Sequence, residues 1–270
     1  MRGARSSGAR RTVVVIAVTV ALACGTACTS SGGTADPAPS ADPSTRPLHA
    51  VERATARAGS ARVESTTVMG DELSLDATGT LGWKNGLTGT LRITYTGGTT
   101  AATMRELGTT AMEARYLPDA YYARMGDGFA ARVGGRHWIK YGYADLEGLG
   151  SGAAGVADGM RETTPDRTVK RLLASDDVRR VGEATTRGRR TTHWTGTVGG
   201  TGGKTEQTVD IWVDDRDLLV KKVERGRTES GELTQTAYYS DYGAAVSAER
   251  PPAADTADFT ELLGRTRDQS

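Results

Sequence analysis

The chain has 270 residues, and its 34 Lys and Arg side chains nearly balance its 33 Asp and Glu side chains. This balance argues against a nucleic-acid-binding protein, which normally carries a basic stripe. The two cysteines, Cys24 and Cys28, both lie near the N-terminus, so we expect neither a disulfide nor a thiol nucleophile in the rest of the chain. The three histidines, His49, His137 and His193, are far apart, which argues against a zinc site, and we expect no metal or cofactor.

The first residues have the features of a bacterial export signal. Four arginines precede an uncharged apolar run, 12–23, which is too short to cross a bilayer because a spanning helix needs about 20 residues. Small residues then lead to Cys24 and again to Cys28, and both approaches resemble a lipobox, whose cysteine is acylated and becomes the mature N-terminus. Cys24 has the more apolar approach and Cys28 has the better Ser/Gly tether behind it, so the choice between them stays open.

The sequence therefore predicts a lipoprotein signal peptide over 1–27 (or 1–23) and a protein anchored at the extracytoplasmic face of the cell membrane. The alternative is an ordinary secretory peptide with two incidental cysteines. Residues 28–46 are predicted to be a flexible tether, because they contain no large apolar residue and cannot bury enough surface to offset the cost of ordering. The alternative for this segment is a loop of the domain that follows.

A single domain is predicted over 47–264. It opens with a short helix, because Pro47 is preorganised for a first helical position and Gly59 can end the helix. The apolar period then changes to two, which is typical of strands with one buried face. Asn85-Gly86, between two such runs, is a strong hairpin signal. The predicted strands of this part are 61–69, 73–83, 87–95, 111–116, 120–125 and 137–141.

A second helix is predicted to start at Thr164-Pro165-Asp166, because a capping residue, a proline and an acid in this order favour a helix N-terminus. A second group of strands follows, and a turn of helix at 259–263 closes the domain before a disordered tail at 265–270. The predicted strands of this part are 177–183, 190–198, 207–213, 218–225 and 233–239.

One face of the first group of strands is apolar but not bulky. The alternation places Leu73, Leu75, Leu81, Leu91 and Ile93 on the same side of two neighbouring strands. Small residues (Ala77, Gly79 and Gly89) share that side. Either a helix packs very close to this face, or the face curves around space that could hold a ligand.

Motifs that would indicate an enzyme mostly fail on their context. The GxGxxG match at 150–155 does not follow a buried strand, and the glycine-rich loop at 199–205 joins two predicted antiparallel strands, so neither predicts a nucleotide site. Asp214, Asp215 and Asp217 lack the glycine and glutamate of a calcium loop, and we interpret them as a solvated turn. The nucleophile motif GxSxG is absent, and we do not expect an enzyme.

The order of these elements resembles a known family. The residues that carry the resemblance are Ser60-Ala61-Arg62-Val63, Asp119-Ala120-Tyr121-Tyr122, His137-Trp138-Ile139-Lys140-Tyr141, Thr164-Pro165, Leu172-Leu173-Ala174-Ser175, Val209-Asp210-Ile211-Trp212-Val213-Asp214 and Leu218-Leu219-Val220-Lys221-Lys222. With the lipobox and tether, this arrangement resembles the LolA-like envelope lipoproteins, and in style the LppX/LprG-type lipoproteins of actinobacteria.

The resemblance implies an α+β fold, a half-open antiparallel β-barrel with helices packed on its concave side. It also implies a lipid held in an apolar cavity. The residues that we expect to line such a cavity are Leu73, Leu75, Leu81, Leu91, Ile93, Tyr121, Trp138 and Ile211.

Two functions follow from this reading. The first is a membrane-anchored lipoprotein that binds or carries a lipid or another hydrophobic molecule, its partners being the membrane and that ligand. The second is a surface sensor or protein-interaction domain of the same fold, with a filled core and no carried ligand. An envelope protein partner of unknown identity is compatible with both, and neither involves nucleic acid.

Overall fold

The structure, a computed structural model, describes residues 45–149, 164–199, 206–228 and 230–267. Their strands form one sheet in the order β12-β6-β5-β4-β3-β2-β1-β11-β10-β9-β8-β7. All neighbours are antiparallel except β12 and β6. The strands are β1 (Ser60–Met69), β2 (Leu73–Gly82), β3 (Thr88–Gly97), β4 (Ala111–Leu117), β5 (Ala120–Arg124), β6 (Trp138–Gly142), β7 (Arg179–Thr186), β8 (Arg189–Val198), β9 (Gln207–Asp214), β10 (Leu219–Thr228), β11 (Gly231–Ser240) and β12 (Thr256–Asp258).

Two helices cover one side of this sheet, which we call the inner face. Leu48 and Val51 of α1, with Val169 and Leu172 of α5, are fully buried in one core together with inner-face residues such as Ile211. The helices are α1 (Arg46–Ala58), α2 (Gly98–Glu106), α3 (Asp127–Ala130), α4 (Tyr143–Gly148), α5 (Pro165–Leu173) and α6 (Phe259–Arg267).

The sheet is open, because its edge strands β7 and β12 are not paired with each other. An open, mostly antiparallel sheet with helices on one face confirms the predicted α+β half-barrel. No helix in the described part of the chain is long and apolar enough to cross a membrane.

The Asn85-Gly86 hairpin is present, but its connection is longer than the sequence predicts. The ladder ends where Gly82 pairs with Thr88, so residues 83–87 form the loop. The backbone N–H of Trp83 donates instead to the carbonyl of Gly59 at 2.9 Å. The loop is therefore tied to the end of α1.

The sequence did not predict helices α2, α3 and α4, the short 3-10 helix Ala253–Asp255, or strand β12. Helix α2 buries little more than Ala101 and Met104, so it lacks the apolar stripe that marks a helix in a sequence. Helix α6 extends to Arg267, three residues into the segment 265–270 for which the sequence predicts a disordered tail. The predicted signal peptide and all but the last residues of the predicted tether lie outside the described residues.

A crossing segment, residues 241–252, connects β11 to the opposite edge of the sheet over its outer face. It is held by side chains of the strands that it crosses: Thr90 Oγ1 donates to the Ser247 carbonyl at 3.2 Å, and Arg115 Nη1 donates to the Glu249 carbonyl at 2.8 Å. The outer face of β3 and β4 is therefore partly covered.

Candidate ligand-binding face

The inner face of β2–β6, which we call the first half, carries no charged side chain in its paired strands. The register aligns Leu75 with Tyr95, Ala77 with Ile93 and then Met112, Gly79 with Leu91 and then Ala114, and Leu81 with Gly89 and then Tyr116. Tyr121, Ala123, Ile139 and Tyr141 extend these rows onto β5 and β6. An uncharged inner face of this width is the part of the sheet best suited to contact an apolar molecule.

Two glycines of the first half are explained by close packing of neighbouring strands. A Cβ on Gly79 would stand 2.1 Å from the Thr90 carbonyl oxygen and 3.0 Å from a methyl of Leu91. A Cβ on Gly89 would stand 2.2 Å from the Thr80 carbonyl oxygen and 3.0 Å from a methyl of Leu81. Each leucine therefore fills the gap above the glycine opposite it, and at these positions the face is packed.

The opposite end of the same face is less covered. Leu73, Leu75, Tyr95 and Met112 are half-buried, whereas Leu81 is only 1% exposed. Leu81, by contrast, belongs with Ile211 to the core that also contains the buried residues of α1 and α5. Half-buried apolar side chains in a row form a rim where an apolar ligand could gain contact area.

A row of aromatic rings crosses the first half. The ring centroids of Tyr116 and Tyr121 are 5.1 Å apart, and those of Tyr121 and Tyr141 are 5.7 Å apart. Phe259 of α6 extends the row, 4.7 Å from Tyr141. These spacings are those of interacting aromatic pairs, so the rings form one continuous apolar surface with polar tips.

Burial makes these phenols harder to ionise. It raises the pKa of Tyr116 and Tyr121 well above the ordinary value for tyrosine, and neighbouring tyrosines raise it further. Burial also raises the pKa of Tyr95 and Tyr141. At neutral pH each hydroxyl is a hydrogen-bond donor, and the Tyr95 hydroxyl donates to the Met112 sulfur at 3.4 Å.

The inner face of β8–β11, which we call the second half, is different. Lys222 and Glu224 of β10 are 2% and 5% exposed, and Lys222 Nζ lies 3.4 Å from a Glu224 oxygen. Arg171 of α5 contacts the other Glu224 oxygen at 3.4 Å and the Gln207 amide oxygen at 3.5 Å. We call these four residues the buried ion cluster, and it lies between α5 and the sheet.

The eight cavity candidates do not all share one face. Leu73, Leu75, Leu81, Leu91, Ile93 and Tyr121 lie on the inner face of the first half, and Ile211 lies on the inner face of the second half, fully buried. Trp138 pairs with Arg124, and each of them is an odd number of positions along its strand from Tyr141 or Tyr121. Trp138 therefore lies on the outer face. There it packs with Ala120 and Tyr122 under the guanidinium of Arg115, which is 4.6 Å from its ring centroid.

Trp138 is therefore removed from the candidate set, because strand alternation sends its side chain away from Tyr121. Five concavities lined by described residues have volumes of about 220 to about 500 Å³, and none of the eight candidates lines any of these five. The role of the other seven as cavity-lining residues stays a prediction.

Sequence reasoning missed several members of the aromatic and apolar row: Tyr95, Met112, Tyr141 and Phe259. Tyr95 and Tyr141 have the right alternation with Ile93 and Ile139, which was the available signal. Phe259 had no such signal, because it joins the row only through the packing of α6 on β6.

The Asp214 turn is also different from its interpretation as a solvated turn. The Asp214 side chain is 3% exposed and accepts hydrogen bonds from the backbone N–H groups of Arg216 and Leu218 at 3.1 and 3.0 Å. It orders the tight turn between β9 and β10. The GxGxxG match and most of the glycine-rich loop lie outside the described residues.

Comparison with known proteins gives both relatives and structural neighbours. No protein-family model matches the chain. Two solved structures are similar in shape: LprF from Mycobacterium bovis (TM-score 0.47, 15% identity, 78% of this chain and 97% of that one) and the Mycobacterium tuberculosis lipoprotein LppX (TM-score 0.47, 16% identity, 75% and 98%).

The sequence relatives are much closer. An "Uncharacterized 31.2 kDa protein in rplA-rplJ intergenic region" of Streptomyces griseus is 46% identical, covering 80% of this chain and 79% of its own length. The "Putative lipoprotein SCO4650" of Streptomyces coelicolor is 71% identical, covering 94% of this chain and 96% of its own length. At that identity and coverage, the chain belongs to the family of this Streptomyces lipoprotein.

Proposed function

We propose that the protein is a membrane-anchored extracytoplasmic lipoprotein that binds a hydrophobic molecule on the inner face of the first half. No catalytic step is part of this function. Its affinity would come mainly from buried apolar area, at about 25 cal/mol per Å².

The observation that carries this proposal is the uncharged inner face of β2–β6 with its half-buried rim of Leu73, Leu75, Tyr95 and Met112. A charged side chain on this face would have to be desolvated against an apolar ligand, at a large cost in free energy. The second half buries Lys222 and Glu224, so the proposed site is confined to the first half.

The ligand is tested by native mass spectrometry of the full-length protein from its native membrane, followed by organic extraction. We expect a co-purified apolar molecule in stoichiometric amount. A protein that is empty and takes up no acyl-chain probe would overturn the proposal.

The anchor is tested by changing Cys24 and Cys28 to Ser, singly and together. We expect the double variant to lose acylation and membrane retention, because no cysteine is left to carry the acyl chains that hold the protein at the membrane. The single variants identify which cysteine is modified. Retention and acylation that are unchanged in the double variant would contradict the anchor.

A second function, a sensor or interaction domain with a filled core, is favoured by one observation. Leu81 and Leu91 fill the spaces above Gly89 and Gly79, and both are at most 5% exposed. If the rim around Leu75 is filled in the same way in solution, no ligand will be extracted, and this second function replaces the first.

A further inference from the structure

Three tyrosine hydroxyls lie side by side on the inner face of the first half. The register pairs Tyr116 of β4 with Tyr121 of β5, and Tyr121 with Tyr141 of β6. Because directly paired residues of antiparallel strands point to the same face, the three phenol groups project into the same region.

These hydroxyls have no hydrogen-bond partner among the described residues, unlike the Tyr95 hydroxyl, which donates to the Met112 sulfur. Tyr116 and Tyr121 are only 7% and 6% exposed as whole residues, whereas Tyr141 is half-buried, so the row of phenols is accessible from its Tyr141 end. Donors at the bottom of an apolar surface need an acceptor to be satisfied.

The charge around them limits which acceptor can bind. On β3–β6 the adjacent inner-face positions are held by Gly89, Ala114, Ala123 and Ile139, and no cationic side chain belongs to the paired inner face of these strands. Two further tyrosines, Tyr95 and Tyr143 of α4, are also close enough to influence the three phenols, and both are uncharged at neutral pH. A carboxylate or phosphate bound here would be desolvated without a counter-ion, which is strongly unfavourable. A neutral carbonyl oxygen accepts a hydrogen bond without that cost.

We infer that the molecule held on this face is a neutral hydrophobic compound with carbonyl acceptors, and that Tyr116, Tyr121 and Tyr141 donate hydrogen bonds to those carbonyls. A fatty-acid ester and a long-chain quinone share this chemistry, whereas a free fatty acid and a pure hydrocarbon do not. The inference rests on the proposed function, since it specifies the ligand of the same face.

The test uses delipidated full-length protein, titrated with four probes and followed by native mass spectrometry. The probes are dioleoylglycerol, menaquinone, oleate and squalane. The variant is the triple Tyr116→Phe, Tyr121→Phe, Tyr141→Phe, which removes only hydroxyl groups. Tyr238→Phe is the matched control, because Tyr238 is a half-buried tyrosine of the outer face.

We expect wild-type protein to bind dioleoylglycerol or menaquinone more tightly than oleate. Whichever of these two probes binds more tightly shows whether the carbonyl belongs to an ester or to a quinone. In the triple variant that probe should bind about tenfold more weakly or worse, because several hydrogen bonds are lost. Squalane affinity should be unchanged, which also shows that the variant folds. The infrared carbonyl band of the bound probe should shift to higher frequency in the triple variant and not in Tyr238→Phe.

An unchanged affinity for both carbonyl probes in the triple variant would overturn the inference, as would a wild-type preference for oleate. In either case squalane binding would leave the proposed function standing. Failure of all four probes to bind the wild-type protein would instead remove the proposed function and the inference together.

Discussion

The two halves of the inner face are built from the same alternating strands, yet they bury opposite kinds of side chain. The first half presents only apolar side chains, small residues and tyrosines. The second half encloses Lys222 and Glu224 beneath α5, with Arg171 completing the buried ion cluster. Gly196 shows how closely α5 approaches, because a Cβ there would stand 2.8 Å from a methyl of Leu172.

Helix α5 seals the second half, whereas a ligand could still cover the first half. Lys222 and Glu224 pair with each other, and Arg171 of α5 adds a second contact to Glu224, so α5 cannot move away without exposing this buried pair. The first half has no such constraint, since displacing a rim side chain there costs only apolar contact. A ligand is therefore expected to compete with packing in the first half and not in the second.

The largest expected effect on stability comes from breaking the buried ion cluster of the second half. Glu224→Gln removes the carboxylate that contacts both Lys222 and Arg171, so the buried Lys222 and the half-buried Arg171 lose their shared counter-charge. We expect the free energy of unfolding to fall by about 3 kcal/mol or more, because breaking a buried ion pair leaves an uncompensated charge. Chemical denaturation measures this fall.

The matched control is Glu64→Gln, the same substitution in the exposed ion pair between Arg187 and Glu64. It should cost about 1 kcal/mol or less, because solvent screens such pairs. Equal losses in the two variants would show that burial adds nothing to the cluster.

A smaller effect sharpens the description of the first half. Leu75→Trp adds bulk at the half-buried rim, whereas Leu91→Trp adds it where Leu91 already fills the gap above Gly79. We expect Leu75→Trp to reduce extracted ligand with little change in stability. Leu91→Trp should instead lower stability by about 1–3 kcal/mol through overpacking.

Ligand per protein and the denaturant midpoint are measured for both variants. Arg92→Trp, an exposed position of the same strand as Leu91, is the control. The neighbouring Thr90 is less suitable, because its hydroxyl holds the crossing segment. Full ligand loading in Leu75→Trp would mean that the rim is not part of a binding site.

The effect that is smallest at neutral pH is a dependence on alkaline pH shared by both halves. Burial raises the pKa of Tyr95, Tyr116, Tyr121 and Tyr141 in the first half and of Tyr239 in the second. The unfolded chain ionises at the ordinary tyrosine value and the folded chain does so later. The stabilisation is therefore complete below about pH 10 and is lost as the pH rises beyond it.

A titration of tyrosinate absorbance together with circular dichroism checks this dependence. Most tyrosine ionisation should coincide with unfolding. If all tyrosines ionise near pH 10 while the fold is intact, the aromatic row is solvated and the contrast between the halves is smaller than the structure indicates.

Alternation was sufficient to predict most strands and the apolar face of β2 and β3, because a period of two is a local property of the sequence. It failed for Trp138, because aromatic residues occupy both registers of β6 and the pattern does not say which register faces the helices. It also gave no warning of the buried ion cluster. Lys221 and Lys222 are adjacent and chemically identical, yet one lies half-exposed over the Trp212 ring on the outer face and the other is buried.

Neighbouring residues alone were enough to predict helices α1 and α5, the order of β1 to β11, the uncharged alternation of the first strands, and the two cysteines after an apolar leader. Only the tertiary structure decided which face the helices cover, that α6 adds Phe259 to the aromatic row, and that β1 pairs with β11. Residues joined across that last pair, such as Thr67 and Gln235, are 168 positions apart. Contacts over such distances depend on how all the intervening elements pack, and no local pattern specifies them.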